Sequence, residues 1–262
     1  MGIGGLLVLL VLGWFTGIDF LSLVGDGGGA PSSQTETIGT TGDVKASPEE
    51  EKMELMVDAV MQDTEETWQQ LLGDRYQGTR AVLFRDAVQS TCGMAQSAVG
   101  PFYCPADRKV YLDLNFFNEL RTRFGAPGDF AQAYVLAHEV GHHIQTVTGV
   151  EEQVRRQQQA NPSQRNELSV LMELQADCFA GVWGHVASAP GREAQGKVEL
   201  DPDDLEEGLR AASSIGDDTI QKRSSGRVMP DKFTHGSSAQ RVEWFRRGFS
   251  SGDPNACNTF GR

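Results

Sequence analysis

Residues 130–145, FAQAYVLAHEVGHHIQ, leave this chain little freedom in how it folds. Phe130, Tyr134, Val135 and Ala137 on one side, and Ile144 on the other, give a half-buried helix that runs through a His138-Glu139-Val140-Gly141-His142 string. Residues four apart on a helix share a face, one turn above the other, so the imidazoles of His138 and His142 project together as a chelating pair. Glu139 follows the first histidine directly. It is rotated to the side of any ion held by the pair, where a carboxylate can polarise a bound water instead of ligating. His143 is turned about 100° from His142, cannot reach the same ion, and reads as a packing or hydrogen-bonding residue. Gly141 costs about 1 kcal/mol relative to alanine inside a helix. A bare surface there predicts close approach by a second backbone or by a substrate. A helix whose histidines merely satisfy buried hydrogen bonds is the plain alternative, and the apolar stripe on both sides of the string weighs against it.

A hydrolytic zinc site takes three protein ligands and keeps a fourth position for water. The pattern H-E-x-x-H-x-x-G-x-x-H would need glycine at 145 and histidine at 148, where this chain has Gln145 and Thr148, so that class is excluded. Asn161-Pro162 caps and opens another helix running to about Ala187, and on it lies Glu173-Leu-Gln-Ala-Asp177. Glu173 is the candidate third ligand. Asp177, one turn later, can accept the free ring N–H of a zinc histidine and fix its orientation. Leu171, Met172, Leu174, Cys178 and Phe179 around these acids do not describe an ordinary surface, and Ala176, Ala180 and Gly181 are small enough to pack against Gly141. His235, in Phe233-Thr234-His235-Gly236-Ser237-Ser238 before a C-terminal helix at 239–249, is a candidate donor to an oxyanion. His185 has no comparable setting.

The rest of the chain frames this pair of helices. Residues 1–24 are nearly all apolar with a single acid, Asp19, and read as an uncleaved transmembrane anchor; a basic leading region and a small-residue cleavage site, the marks of a removed signal peptide, are missing. Residues 25–46 have almost no large apolar side chains and read as a flexible linker. The domain proper is 47–262. Ser47-Pro48-Glu49-Glu50 is an N-cap, a first-turn proline and a capping-box glutamate, and the helix it opens stops at Gly73. AVLFRDAV at 81–88 fits strand or helix, whereas KVYLDL at 109–114 alternates, with Val110, Leu112 and Leu114 on one side. With Phe102-Tyr103-Cys104 and the turn at Pro105-Ala106-Asp107-Arg108 it predicts a hairpin, whose edge can hold an extended peptide or simply complete a sheet. Gly125 to Asp129 is a break and N-cap before the central helix, and Gly149 closes that helix. Residues 151–160 are polar, Gln-rich and read as solvated.

Charge and cysteine usage narrow the setting. A formal net charge of -13 argues against a nucleic-acid partner and against docking on anionic lipid through basic patches. The acids crowd into 49–66 and 201–218, which read as solvated helical faces. Four cysteines, Cys92, Cys104, Cys178 and Cys257, none in a C-x-x-C pair, suit two disulfides better than a structural zinc knuckle. Three pairings are possible. Cys92 with Cys104 would close a short loop, and Cys178 with Cys257 would tie a core helix to the C-terminal tail. Disulfides place the domain outside the cytoplasm, on a single-pass membrane protein. No Lys or Arg precedes Lys45, so loop charge does not set the orientation.

Five segments in order, GPFYCPADRKVYLDLNFF, GDFAQAYVLAHEVGHHIQ, ELQADCFAGVW, AASSIGDD and FTHGSSAQRVEWFRRGF, closely resemble the bacterial neutral zinc metallopeptidase family over about residues 47 to 260. That family is similar in its active-site logic to the gluzincins, which include thermolysin and the CAAX-prenyl endopeptidases. The resemblance implies an α+β, zincin-like metallopeptidase fold, mostly helical with a small sheet, behind the one N-terminal transmembrane helix. It implies Zn2+ held by His138, His142 and Glu173, with Glu139 as base and Asp177 behind a ligand. In the CAAX-prenyl group a Thr-His-Pro segment followed by an arginine places a histidine beside the transition state. Thr234-His235-Gly236 with Arg241 looks like its counterpart, departing at Gly236. The expected activity is a membrane-anchored zinc endopeptidase acting on a protein or peptide substrate. The rival is a non-catalytic, zinc-stabilised, membrane-anchored binding or assembly factor.

Overall fold

The structure is a computed structural model, and it describes residues 47–96, 100–122 and 128–261. The predicted anchor at 1–24 and linker at 25–46 lie outside the described residues, as does most of the break at 125–129. Among the described residues no helix is long and apolar enough to cross a membrane.

Eight helices are described: α1 (Pro48–Leu72), α2 (Phe116–Thr122), α3 (Asp129–Val147), α4 (Val150–Ala160), α5 (Arg165–Ala187), α6 (Pro202–Ser214), α7 (Asp217–Ser225) and α8 (Ser238–Ser251). The strands are β1 (Arg80–Phe84), β2 (Ala87–Ser90), β3 (Gly93–Gln96), β4 (Phe102–Cys104) and β5 (Lys109–Asp113). The fold is therefore mostly helical with a small sheet. Ser47 caps α1 through the full capping box with Glu50, and Gly73 ends it with a positive φ of 58°. Two strands form where the local signal is ambiguous. AVLFRDAV becomes β1 and β2, broken at Asp86, whose φ of 66° is a left-handed turn conformation.

The sheet order β1-β5-β4 corrects one expectation. β5 pairs with β1 in parallel and with β4 antiparallel, so the predicted hairpin forms but the alternating strand is the central one. Val110, Tyr111, Leu112 and Asp113 are all buried, because a strand covered on both faces has no solvated side. Among the described residues β1 and β4 are the two edge strands of this sheet. A second correction concerns 151–160, which is not merely a solvated stretch but helix α4, with Val154 and Gln158 one turn apart on a buried stripe. Asn161 makes no side-chain cap; a short 3₁₀ turn at Pro162–Gln164 intervenes before α5 begins.

α3 is the buried axis. Tyr134, Leu136, Val140 and Ile144 are essentially inaccessible, and α1, α5, α6 and the sheet pack round it. Gly141 is where α3 meets α5: a Cβ there would lie 2.9 Å from the Ala176 Cα and carbonyl oxygen, so only a hydrogen lets the helices close to this distance. α5 meets α8 in the same way, Gly181 lying against the Phe245 carbonyl and Gly248 against that of Cys178. The cysteines pair as Cys92–Cys104 and Cys178–Cys257. The first ties the β2–β3 turn to β4; the second ties α5 to the segment beyond α8.

Candidate metal centre

Because α3 and α5 are in backbone contact at Gly141 and Ala176, side chains one turn either side of that point meet. Nε2 of His138 lies 3.2 Å from Oε2 of Glu173, and Nε2 of His142 lies 3.5 Å from Oε1 of the same carboxylate. One ligand atom from each of the three residues falls within 4.8 Å of the others. Behind them the rear nitrogens are occupied. His138 Nδ1 donates to Asp177 Oδ1 at 2.9 Å, and His142 Nδ1 donates to Gln145 Oε1 at 2.8 Å. Both imidazoles are thus oriented with Nε2 forward, which is the state a metal ligand needs.

The electrostatics agree with a cation-binding donor set. Burial opposes protonation of His138, but Asp177 and Glu173 outweigh it and push its pKa up to about 10. His142 is likewise opposed by burial and raised by Glu173. Burial works against an ionised Glu173, yet His142 and His235 hold its carboxyl well below the usual range. Two nitrogens and a carboxylate oxygen, converging and anchored from behind, fit Zn2+ with a position left for a fourth ligand.

Glu139 is buried, and among the described residues its carboxylate has no hydrogen-bond or ion-pair partner. It lies close enough to His142 to raise that ring's pKa. His235 stands on the other side of Glu173, partly exposed. Its loop is held by Asp217, whose Oδ2 accepts the backbone N–H groups of Thr234 at 2.7 Å, His235 at 2.7 Å and Gly236 at 3.1 Å. Oδ1 of the same aspartate is 3.3 Å from His235 Nδ1. Burial disfavours the imidazolium, but Glu173 and Asp217 prevail and raise the pKa of His235. His143 points elsewhere: it bonds the Tyr103 hydroxyl at 2.9 Å and the Gln77 carbonyl, and has no part in the cluster. His185, on the surface, bonds the Phe249 carbonyl.

Sequence reasoning missed part of this. Asp217 falls in an acidic run read as solvated, yet it is buried and organises the His235 loop, which corrects that reading. Its signal was its place in AASSIGDD, one of the segments that carried the family resemblance. Gln145 entered only as the absence of a glycine, although it sits three residues after His142 on the same face. Tyr134, one turn before His138, bonds Asp177. Arg241 forks onto that aspartate, Nε to Oδ2 at 2.8 Å and Nη2 to Oδ1 at 2.9 Å, and is itself fully buried.

Residues 1–260 match the family described as "Putative neutral zinc metallopeptidase". The chain belongs to this family. It is 48% identical to the "Uncharacterized protein YpfJ" of Escherichia coli over 267 residues, which takes in all of this chain and 88% of that protein. It is 47% identical over 182 residues to the "Uncharacterized protein Mb2605" of Mycobacterium bovis, covering 68% of this chain and 61% of that protein. No solved structure matches it. Membership implies zinc and a peptidase ancestry, and the His138, His142 and Glu173 cluster is where this chain could hold the ion.

Proposed function

We propose that the chain is a zinc-dependent endopeptidase, with His138, His142 and Glu173 as ligands. The observation that carries this reading is their convergence beside Glu139, a residue 8% exposed whose carboxylate has no hydrogen-bond or ion-pair partner among the described residues. Zinc held there would lower the pKa of a bound water and polarise the scissile carbonyl. Glu139 accepts the proton of the attacking water and passes it to the departing amine. His235, whose protonated form its carboxylate neighbours favour, donates to the oxygen on which negative charge develops. Asp177 orients His138 throughout. The open edge of β4 lies alongside α3, tied to it by the Tyr103–His143 bond, and offers unpaired backbone groups to an extended peptide. The apolar 1–24 segment and the two disulfides support a single-pass anchor with the peptidase domain outside the cytoplasm.

The test is Glu139→Gln. It removes the base and leaves the ligands, so peptide hydrolysis should fall by about 10²–10⁴-fold while zinc stays bound at one equivalent per chain. Full activity in that variant sinks the mechanism. A wild type that binds zinc but cleaves nothing in a diverse peptide library favours the non-catalytic binding factor.

A further inference from the structure

In the reading above Asp177 orients His138, and behind His142 stands Gln145, whose Oε1 is 2.8 Å from Nδ1. Resting on that reading, we propose that Gln145, backed by Gln175 and by the Cys257 carbonyl, is the positioning residue that fixes the tautomer and ring orientation of His142.

The argument is one of polarity. A peptide carbonyl only accepts, so the Cys257 oxygen takes its hydrogen bond from the Gln175 amide nitrogen, 3.0 Å away. That turns Oε1 of Gln175 towards Gln145. Gln145 then faces two acceptors, Gln175 Oε1 at 3.1 Å and the Met172 carbonyl at 2.7 Å, and satisfies both only with its NH2 group. Its Oε1 is left for His142 Nδ1 at 2.8 Å. An acceptor there requires Nδ1–H, and an imidazole with its proton on Nδ1 carries its lone pair on Nε2, the atom that faces Glu173.

The two amides are closed to solvent, while the His142 side chain in front of them is 19% exposed. Gln145 is 0% and Gln175 6% exposed, so no bulk water competes for these groups, and reversing either amide would set like against like in a buried site. The relay also has a fixed end. Cys257 is held to α5 by its disulfide with Cys178, and Thr259 adds a bond from its hydroxyl to the Leu171 carbonyl at 2.7 Å. A residue 79 positions beyond Cys178 in sequence therefore terminates the chain of bonds that aims a candidate metal ligand. Met172 and Gln175 flank Glu173, so the same stretch of α5 that presents one ligand sets the direction of another.

The experiment uses the oxidised full chain, zinc titrated against a competing chelating indicator, and ring-nitrogen NMR of histidine-labelled protein loaded with zinc. Gln145→Met keeps the volume and removes the acceptor. Zinc binding should weaken by about 10–100-fold, and the His142 Nδ1 proton should exchange with water much faster, while that of His138, held by Asp177, stays protected. Gln175→Met leaves the Met172 acceptor and should produce the same changes to a smaller degree. Unchanged zinc affinity and unchanged His142 exchange in Gln145→Met overturn the proposal and leave the peptidase reading standing. Should Gln145→Met fail to fold, unchanged values in Gln175→Met overturn it equally. A wild type that binds no zinc overturns the peptidase reading and this proposal together.

Discussion

Two histidines one turn apart on the same helix are supported from behind in opposite ways. His138 leans on an ionic assembly: Asp177, fully buried, accepts from the His138 ring, from the Tyr134 hydroxyl and twice from Arg241. His142 leans on neutral amides, Gln145 and Gln175, ending on a backbone carbonyl. A buried carboxylate is tolerable only with a full complement of donors, whereas a buried amide relay carries no net charge to desolvate. The difference teaches that the two rings need not respond alike to damage. The His138 side should fail through stability and the His142 side through aim.

Removing one charge is the harshest way to break this comparison. Arg241→Met takes from buried Asp177 the larger of its two cationic partners and leaves only the His138 imidazolium, and breaking such a pair from one side costs at most about 3–5 kcal/mol. Chemical denaturation of the zinc-free protein should show that loss. Gln175→Met, which breaks two neutral bonds, should cost only about 2 kcal/mol in the same assay, at about 1 kcal/mol for each bond. Equal losses would mean the ionic and neutral supports do not differ in kind.

Acidity gives a gentler handle. With zinc chelated, His138 titrates at about 10 in the folded chain against 6.5 when free, so its proton contributes stability that is fully present below about pH 6.5 and lost as pH rises towards 10. Zinc binding must expel that proton. The rise in melting temperature on adding zinc should therefore grow across the same window, because the chelated form weakens while the loaded form has no such proton to lose. A metal-induced shift that does not change between about pH 6.5 and about pH 10 would show that His138 is not the protonated group.

How far this could be read from the chain alone divides along similar lines. The candidate ligand set was legible because helix periodicity is a local rule: His138 and His142 share a face by spacing, and Glu173 and Asp177 stand one turn apart among apolar neighbours. Gly141 was legible because a glycine in a helix interior asks for a steric reason, and Ala176 supplies it. The supports were harder. Gln145 and Gln175 are ordinary helix residues whose meaning comes only from facing each other across two helices, and Asp217 looked like one more acid in an acidic run. The sheet was legible only in part: the β4–β5 hairpin forms as expected, but the central place of β5 could not be read from the strand itself. Alternation in KVYLDL suggested one solvated face, but β1 and β4 flank the strand and the body of the protein covers it, which is information held 29 residues away in the Arg80↔Lys109 register and not in the strand itself.

Tyr134→Phe is the smallest change that still discriminates between the two supports. Its hydroxyl donates to Asp177 Oδ1, the same oxygen that accepts from His138 Nδ1 and Arg241 Nη2, so after its removal that oxygen keeps two donors. The ring stays where it is, packed edge-on against Phe245 at 5.5 Å between centroids, and phenylalanine preserves that contact. Two hydrogen bonds are lost, since the hydroxyl also accepts from Arg241 Nη2 at 3.3 Å, but neither partner is orphaned, and the loss in stability should be about 1–2 kcal/mol. Zinc affinity should not fall, since a carboxylate with one donor fewer draws more strongly on the His138 ring proton and makes Nε2 the better ligand. A tenfold weaker affinity in this variant would place the orientation of His138 with the tyrosine and not with the Asp177–Arg241 pair, and the contrast between an ionic support and a neutral one would no longer describe this site.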